Sequence, residues 1–116
     1  TARKKWIAGA LSPKGKLVVD DGAIKALRKG RSLLPAGVTT IGGKFERGDL
    51  IAVESHDGVV IGHGLSAYSA KDAARIKGHK SSEIEALLGY RGRDELIHAD
   101  NIVMNDNGVA SDEEMQ

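Results

Sequence analysis

No cysteine occurs in the 116 residues, which excludes a disulfide scaffold and any thiolate metal site. A reducing compartment is compatible with that absence. Aromatic residues make up only 3% of the chain. The core is therefore expected to be built from Leu, Ile and Val, and a platform of rings on which bases could stack is poor. Proline is rare, at 2 residues. No apolar run approaches the roughly 20 residues that a membrane-spanning helix needs, and the opening residues do not read as a signal peptide. A cytoplasmic protein without a membrane partner is expected.

What is abundant is glycine, at 15 residues, which favours tight turns between short strands over a helical bundle. The length supports one domain with a modest core. The net charge of +1 hides an uneven distribution. Residues 1–57 carry 11 Lys+Arg against 6 Asp+Glu, a balance of +5, and residues 58–116 carry 6 against 10, a balance of −4. A basic half suits phosphate-bearing partners, although such a balance is common on soluble domains. The chain starts at Thr1, not Met, followed by Arg3, Lys4 and Lys5. Either a processed start or a piece of a longer polypeptide is expected.

The most informative stretch runs from Phe45 to Ser69. Two apolar segments of strand length, Leu50 to Val53 and Val59 to Leu65, flank an Asp57-Gly58 turn signal, which predicts a β-hairpin. Gly62 and Gly64 bracket His63, and such glycines allow a second backbone to approach a strand closely. Upstream, Pro13 to Lys16 reads as a turn and Leu17 to Val19 as a strand of β-formers. Asp20 or Asp21 caps a helix over about Ala23 to Lys29, stopped at Gly30. Ile24 and Leu27 face the core, while Lys25, Arg28 and Lys29 share the outer face. Pro35 places Ser32 to Val38 at an edge or bend, and a strand runs from Val38 to Ile41. Ser69 caps a helix ending at Gly78, and Ser82 with Glu85 starts another closed by Gly89. Arg91 to His98 reads as a charged connection, and Asn101 to Met104 as a last strand. The expected core is Leu17, Val19, Ile24, Leu27, Val38, Ile41, Phe45, Ile51, Val53, Ile61, Leu65 and Ile76. Residues 1–15 form a connecting segment, and residues 105–116 form an acidic tail expected to be disordered.

Tests for catalytic chemistry fail. Gly9 and Gly15-Lys16 are spaced one residue too far for a phosphate loop, and Leu17 stands where a Ser or Thr would hold magnesium. Gly62-His63-Gly64 lacks the third glycine of a dinucleotide fingerprint. His56, His63, His79 and His98 lack metal-ligand spacing. Asp20-Asp21 and Asp94-Glu95 are adjacent pairs, which do not converge on one site. Arg47-Gly48-Asp49 spells an adhesion tripeptide, but three residues arise by chance, and here they open a strand. No catalytic, cofactor-binding or metal-ligating residue is assigned.

The ordered motifs nevertheless resemble a known family. The glycine-bracketed hairpin resembles the PUA domain, and its flanks resemble the C-terminal PUA domain of bacterial glutamate 5-kinases. The matching stretches are Lys4-Lys5-Trp6-Ile7-Ala8-Gly9, Gly15 to Ala23, Ser32 to Val38, Phe45 to Asp49, Ile76 to Gly78, Ser81 to Ile84, Leu88 to Gly92, Asp94 to His98 and Asp100-Asn101. They cover nearly everything from Arg3 to Met104; the acidic tail lies outside. The resemblance implies a mainly β fold with short helices, a PUA-like β pseudo-barrel occupying residues 1–104. It implies a parent enzyme that phosphorylates the side-chain carboxylate of L-glutamate with ATP and magnesium, opens proline biosynthesis and is inhibited by proline. That parent is expected to be a homo-oligomer. Its catalytic amino acid kinase domain precedes the PUA domain and has no counterpart here, so the chain alone is expected to be inactive.

Two functions follow from the resemblance. In the favoured one the domain is a structural or regulatory appendage, with Arg3, Lys4, Lys5 and Trp6 at the join to the kinase domain. In the other it binds RNA, as other PUA domains do, through Lys25, Arg28, Lys29 and Arg31 on phosphates and through Gly37, where the backbone can be approached closely.

Overall fold

The structure, a computed structural model, describes residues 12–105. The expectations for Arg3, Lys4, Lys5 and Trp6, and for the tail from residue 106 onward, lie outside the described residues. Eight regular elements follow one another: β1 (Gly15–Val19), α1 (Asp21–Arg28), β2 (Val38–Gly43), β3 (Leu50–Ser55), β4 (Val60–Leu65), α2 (Ala70–Ile76), α3 (Ile84–Leu88) and β5 (Ile102–Met104). Single 3-10 turns cover Pro35–Gly37, Ser81–Glu83 and Ala99–Asn101. The strands form one mixed sheet in the order β2-β1-β3-β4-β5. The mainly β architecture with short helices is as expected.

One pairing has no local signature in the sequence. β1 runs antiparallel to β2 but parallel to β3, with Leu17 opposite Val53. This places β1 and β3 in the middle of the sheet. Four consecutive residues of β3, Leu50 to Val53, are buried, the continuous apolar run expected of a strand covered on both faces. The β3–β4 hairpin pairs Ile51 with Gly64 and Ala52 with His63. The turn at its tip is closed by Gly58 N–H donating to Ser55 O at 2.9 Å, with Gly58 at φ +86°. β5 then adds to β4, with His63 opposite Val103. A Cβ on Gly62 would lie 2.7 Å from Val103 O, and one on Gly64 2.8 Å from Ile97 Cγ2. The two glycines thus admit β5 and Ile97 against the hairpin.

The helix starts are set by side chains. Asp20 Oδ1 accepts from Ala23 N–H at 2.8 Å and Ser69 Oγ accepts from Asp72 N–H at 3.2 Å, each cap worth about 1 kcal/mol. The third start differs from the expectation of Ser82 with Glu85. Here Glu83 reaches back, its Oε1 accepting from Lys80 N–H at 3.1 Å, and Ser81 Oγ donates to Asp94 O at 2.6 Å. The neighbouring serine is thus spent on a distant carbonyl, and the chain makes a 3-10 turn before α3. The predicted turn at Pro13–Lys16 is also corrected, because Gly15 and Lys16 already belong to β1. A Cβ on Gly15 would fall 2.6 Å from the Phe45 ring, so this glycine is a packing residue. Pro35 is buried in its 3-10 turn, and its carbonyl accepts from Gly78 N–H at 2.7 Å.

Nine of the twelve expected core residues are buried, whereas Ile24, Ile41 and Leu65 are half-buried. The core also takes in Leu33, Tyr68, Ala73, Ile84, Leu96, Ile97 and Ile102. Leu96 and Ile97 correct the reading of Arg91 to His98 as a charged connection, since both are fully buried. Each such side chain contributes about 1.5–3 kcal/mol through burial. They are held by a short bridge to Leu33, whose N–H donates to Ile97 O at 2.9 Å and whose O accepts from Leu96 N–H at 2.8 Å.

Candidate nucleic-acid interface

The residues expected to face RNA sit on α1 and the loop behind it. Leu27 points α1 into the core, and Ala23 and Ile24 pack at its margin. Helical periodicity then leaves Lys25, Arg28 and Lys29 outside, and all three are exposed. Gly30, at φ +82°, turns the chain back, and Arg31 N–H donates to Ala26 O at 3.1 Å. Basic side chains at this end also complement the negative end of the helix dipole.

The structure divides the five predicted residues into two groups. Arg31 and Gly37 line one groove of ≈ 300 Å³, together with Gly22, Ala23, Ala26, Ser32, Leu33, Leu34 and Ala36. Lys25, Arg28 and Lys29 are not part of its wall. A Cβ on Gly37 would lie 2.6 Å from Ala23 Cβ. Glycine at 37 therefore serves the packing of the 3-10 turn on α1, besides any approach from outside. The groove is mostly apolar with one guanidinium at its wall. Its wall thus offers apolar surface beside one cation, while the three exposed cations on α1 lie outside it.

Sequence reasoning missed Leu34 and Ala36 in this groove. Leu34 is 48% exposed beside the fully buried Leu33 and Pro35. A signal was present: adjacent residues of an extended segment point to opposite sides, so Leu33 and Leu34 cannot both enter one core.

Elsewhere, the histidines take small structural roles. His79 Nδ1 lies 3.3 Å from Glu83 Oε1, and His98 Nδ1 accepts from Asp100 N–H at 3.0 Å. The Glu83 carboxyl is held below its usual range by the Lys80 backbone N–H and then by His79. Among the described residues no three His, Asp or Glu side chains gather in a way that could hold a metal ion. The Arg47-Gly48-Asp49 tripeptide makes a tight turn just before β3, with Asp49 Oδ2 accepting from Glu46 N–H at 2.8 Å and Gly48 at φ +92°. The two tyrosines lock the segments around α2. Tyr90 OH donates to Asp72 Oδ2 at 2.6 Å, and this bond, with some burial, pushes its pKa up to about 12. Tyr68 OH donates to Arg93 O, and burial, followed by the charges of Asp94 and Glu95, raises its pKa. No helix among the described residues is long and apolar enough to cross a membrane.

Comparison with known proteins agrees with this fold. The family model for the PUA domain matches residues 15–88. The glutamate 5-kinase of Paramagnetospirillum magneticum is 61% identical over 104 residues, covering 90% of this chain and 28% of that protein. Glutamate 5-kinase of Bradyrhizobium sp. is 54% identical over 109 residues, covering 94% of this chain and 29% of the relative. The chain thus spans just over a quarter of the length of these curated relatives, and the match falls in their C-terminal region. Among solved structures, a PUA domain from Aeropyrum pernix K1, crystallised as a tartrate complex, superposes with a TM-score of 0.55 at 26% identity, over 73% of this chain and 41% of that one. The archaeal box H/ACA sRNP Nop10-Cbf5 complex shares the fold, with a TM-score of 0.50 at 18% identity over 78% of this chain and 23% of that one. With its sheet order, capped first helix and glycine-bracketed hairpin accounted for, the chain belongs to the PUA domain family.

Proposed function

We propose that this chain is the non-catalytic C-terminal PUA domain of a glutamate 5-kinase, acting as a structural and regulatory appendage of the kinase. The observation that carries this reading is the 61% identity over 90% of the chain to a protein of which it spans only 28%. Phosphoryl transfer to the glutamate side chain requires phosphate-clamping donors, a lysine and a metal. In this reading the preceding amino acid kinase domain supplies them and holds ATP and magnesium, in a cytoplasmic homo-oligomer. The described residues present no cluster fit for a metal, and no catalytic step is assigned to them.

The test compares the full-length kinase with a form lacking this domain. Glutamate-dependent ADP release is measured at varied glutamate, ATP, magnesium and proline. Retained turnover with altered saturation or altered proline inhibition supports a regulatory appendage. Abolished turnover in a folded, correctly assembled truncate would overturn the non-catalytic assignment.

A second reading, RNA binding through α1, is favoured by the exposed Lys25, Arg28 and Lys29 beside a groove with Arg31 at its wall. Structured RNA is titrated across a salt series with the wild type and with Lys25, Arg28 and Lys29 changed together to Ala. An RNA-facing helix gives a log–log salt slope of about −0.9 per duplex phosphate neutralised and loses most of its affinity in the variant. Equal binding by the variant would sink this reading.

A further inference from the structure

A second cleft, of ≈ 540 Å³, shares none of the lining residues of the α1 groove. It is walled by Arg47 and Gly48 from the turn before β3, by Leu65 to Ala67 at the end of β4, and by Arg93, His98 and Asn101. Three chain segments thus bring two arginines and a histidine to one depression, and among the described residues no carboxylate lines it, although Glu95 pairs with Arg93 at 3.0 Å and Asp100 Oδ2 lies 3.7 Å from His98 Nδ1.

The polar groups here are unevenly engaged. Ser66 is fully committed: its Oγ donates to Tyr68 O at 2.5 Å, its N–H donates to Asp49 O, and its carbonyl accepts from Gly48 N–H. Arg93 Nε donates to Glu95 Oε1 at 3.0 Å, which leaves the two terminal nitrogens of the fork. His98 Nδ1 accepts from Asp100 N–H, so in the neutral ring the proton sits on Nε2, and that nitrogen is a donor. Arg47 makes no ion pair with another described residue. The Arg47 charge is thus the one in the wall that no ion pair among the described residues offsets, and guanidinium forks match the two oxygens of a carboxylate or phosphate.

We infer that the cleft lined by Arg47, Arg93 and His98 binds the oxyanion group, carboxylate or phosphate, of a small anionic ligand. One guanidinium comes from the turn before β3 and the other from the 93–101 segment, and the His98 ring offers a third donor. The tight turn at Gly48, tied to Ser66, holds Arg47 in place. This inference does not depend on either reading of the preceding subsection.

The full 116-residue chain, labelled with 15N, is titrated with inorganic phosphate and separately with succinate at constant ionic strength. Sodium chloride serves as the control. Saturable shifts of the Gly48, Ala67, Arg93 and Asn101 amides are expected, with a Kd on the order of 1 mM. Arg47→Gln and Arg93→Gln, both at exposed positions, weaken binding by about tenfold each, while Lys25→Gln on α1 leaves it unchanged. A response to phosphate alone identifies a phosphate site, and a response to succinate alone a carboxylate site. Shifts that do not saturate, that chloride reproduces, or that persist undiminished in both arginine variants would overturn the inference.

Discussion

The β3–β4 hairpin and the stretch from Arg91 to Asn101 are opposites in how they are held. The hairpin closes on itself: its turn and its register come from residues adjacent in sequence, with Asp57-Gly58 at the tip. The 91–101 stretch has little structure of its own beyond the Ala99–Asn101 turn and two short-range side-chain bonds. Partners elsewhere hold it: Tyr68 OH on Arg93 O, Ser81 Oγ on Asp94 O, Leu33 bridging to Ile97, and Ser32 Oγ accepting from Ala99 N–H across 67 positions. Yet both deliver buried residues to the same core. A segment can therefore be central to packing without a periodic pattern, provided other elements supply its hydrogen bonds.

The largest test of this comparison truncates one side chain in each region. Leu96→Ala, in the irregular stretch, is expected to cost about 2–5 kcal/mol, whereas Val59→Ala at the exposed hairpin tip stays within about 0.5 kcal/mol. Urea denaturation checks both. If Leu96→Ala costs no more than Val59→Ala, the irregular stretch is peripheral after all.

Next in size is the contact that pins its start. A Cβ on Gly92 would collide with the Tyr68 hydroxyl and ring, so Gly92→Ala is expected to destabilise by about 1–3 kcal/mol through overpacking. Placing it in a Tyr68→Phe background should recover part of that loss, because only the hydroxyl part of the clash is removed. Strict additivity in the double-mutant cycle would contradict the contact.

A smaller effect is expected at the far end of the stretch. Ser32→Ala deprives the Ala99 N–H of its acceptor, at 2.7 Å, for about 0.5–1.5 kcal/mol. Faster amide exchange at Ala99, with the hairpin amides unchanged, is the expected signature.

The smallest effect appears only in alkali. Tyr90 is raised to about 12 by its bond to Asp72, so the folded state holds this proton more tightly than the unfolded chain does. Its stabilising contribution is full below the ordinary phenol pKa of about 10 and is lost as pH rises through about 12. Asp72→Asn should move one of the two tyrosine titrations, followed by ultraviolet absorbance, back toward 10 and leave the other raised. Two unchanged titrations would break the assignment.

Much of the fold was legible from short windows. The hairpin, the caps at Asp20 and Ser69, the stops at Gly30 and Gly89, and the last strand each rest on a few neighbouring residues. Gly15 reads as a turn residue because a packing glycine and a turn glycine look alike when the ring that covers one of them, Phe45, lies thirty positions on. Ser82 reads as a cap that Glu83 and Lys80 make instead, since nothing local reveals that Ser81 is drawn to Asp94. In the α1 groove, the exposure of the basic residues followed from helical spacing, but the separation of Arg31 and Gly37 from Lys25, Arg28 and Lys29 did not. That division depends on how the Pro35–Gly37 turn packs on Ala23.

The sequence by itself determined the local elements, the aliphatic core of the sheet and the resemblance to PUA domains, because turn chemistry, capping and periodicity act over a few residues. Only the tertiary structure decided the parallel pairing of β1 with β3, the burial of Leu96 and Ile97, and the meeting of Arg47 with Arg93 in one cleft. These depend on which distant surfaces satisfy one another once loop closure has been offset by burial, and no short window of residues carries that information.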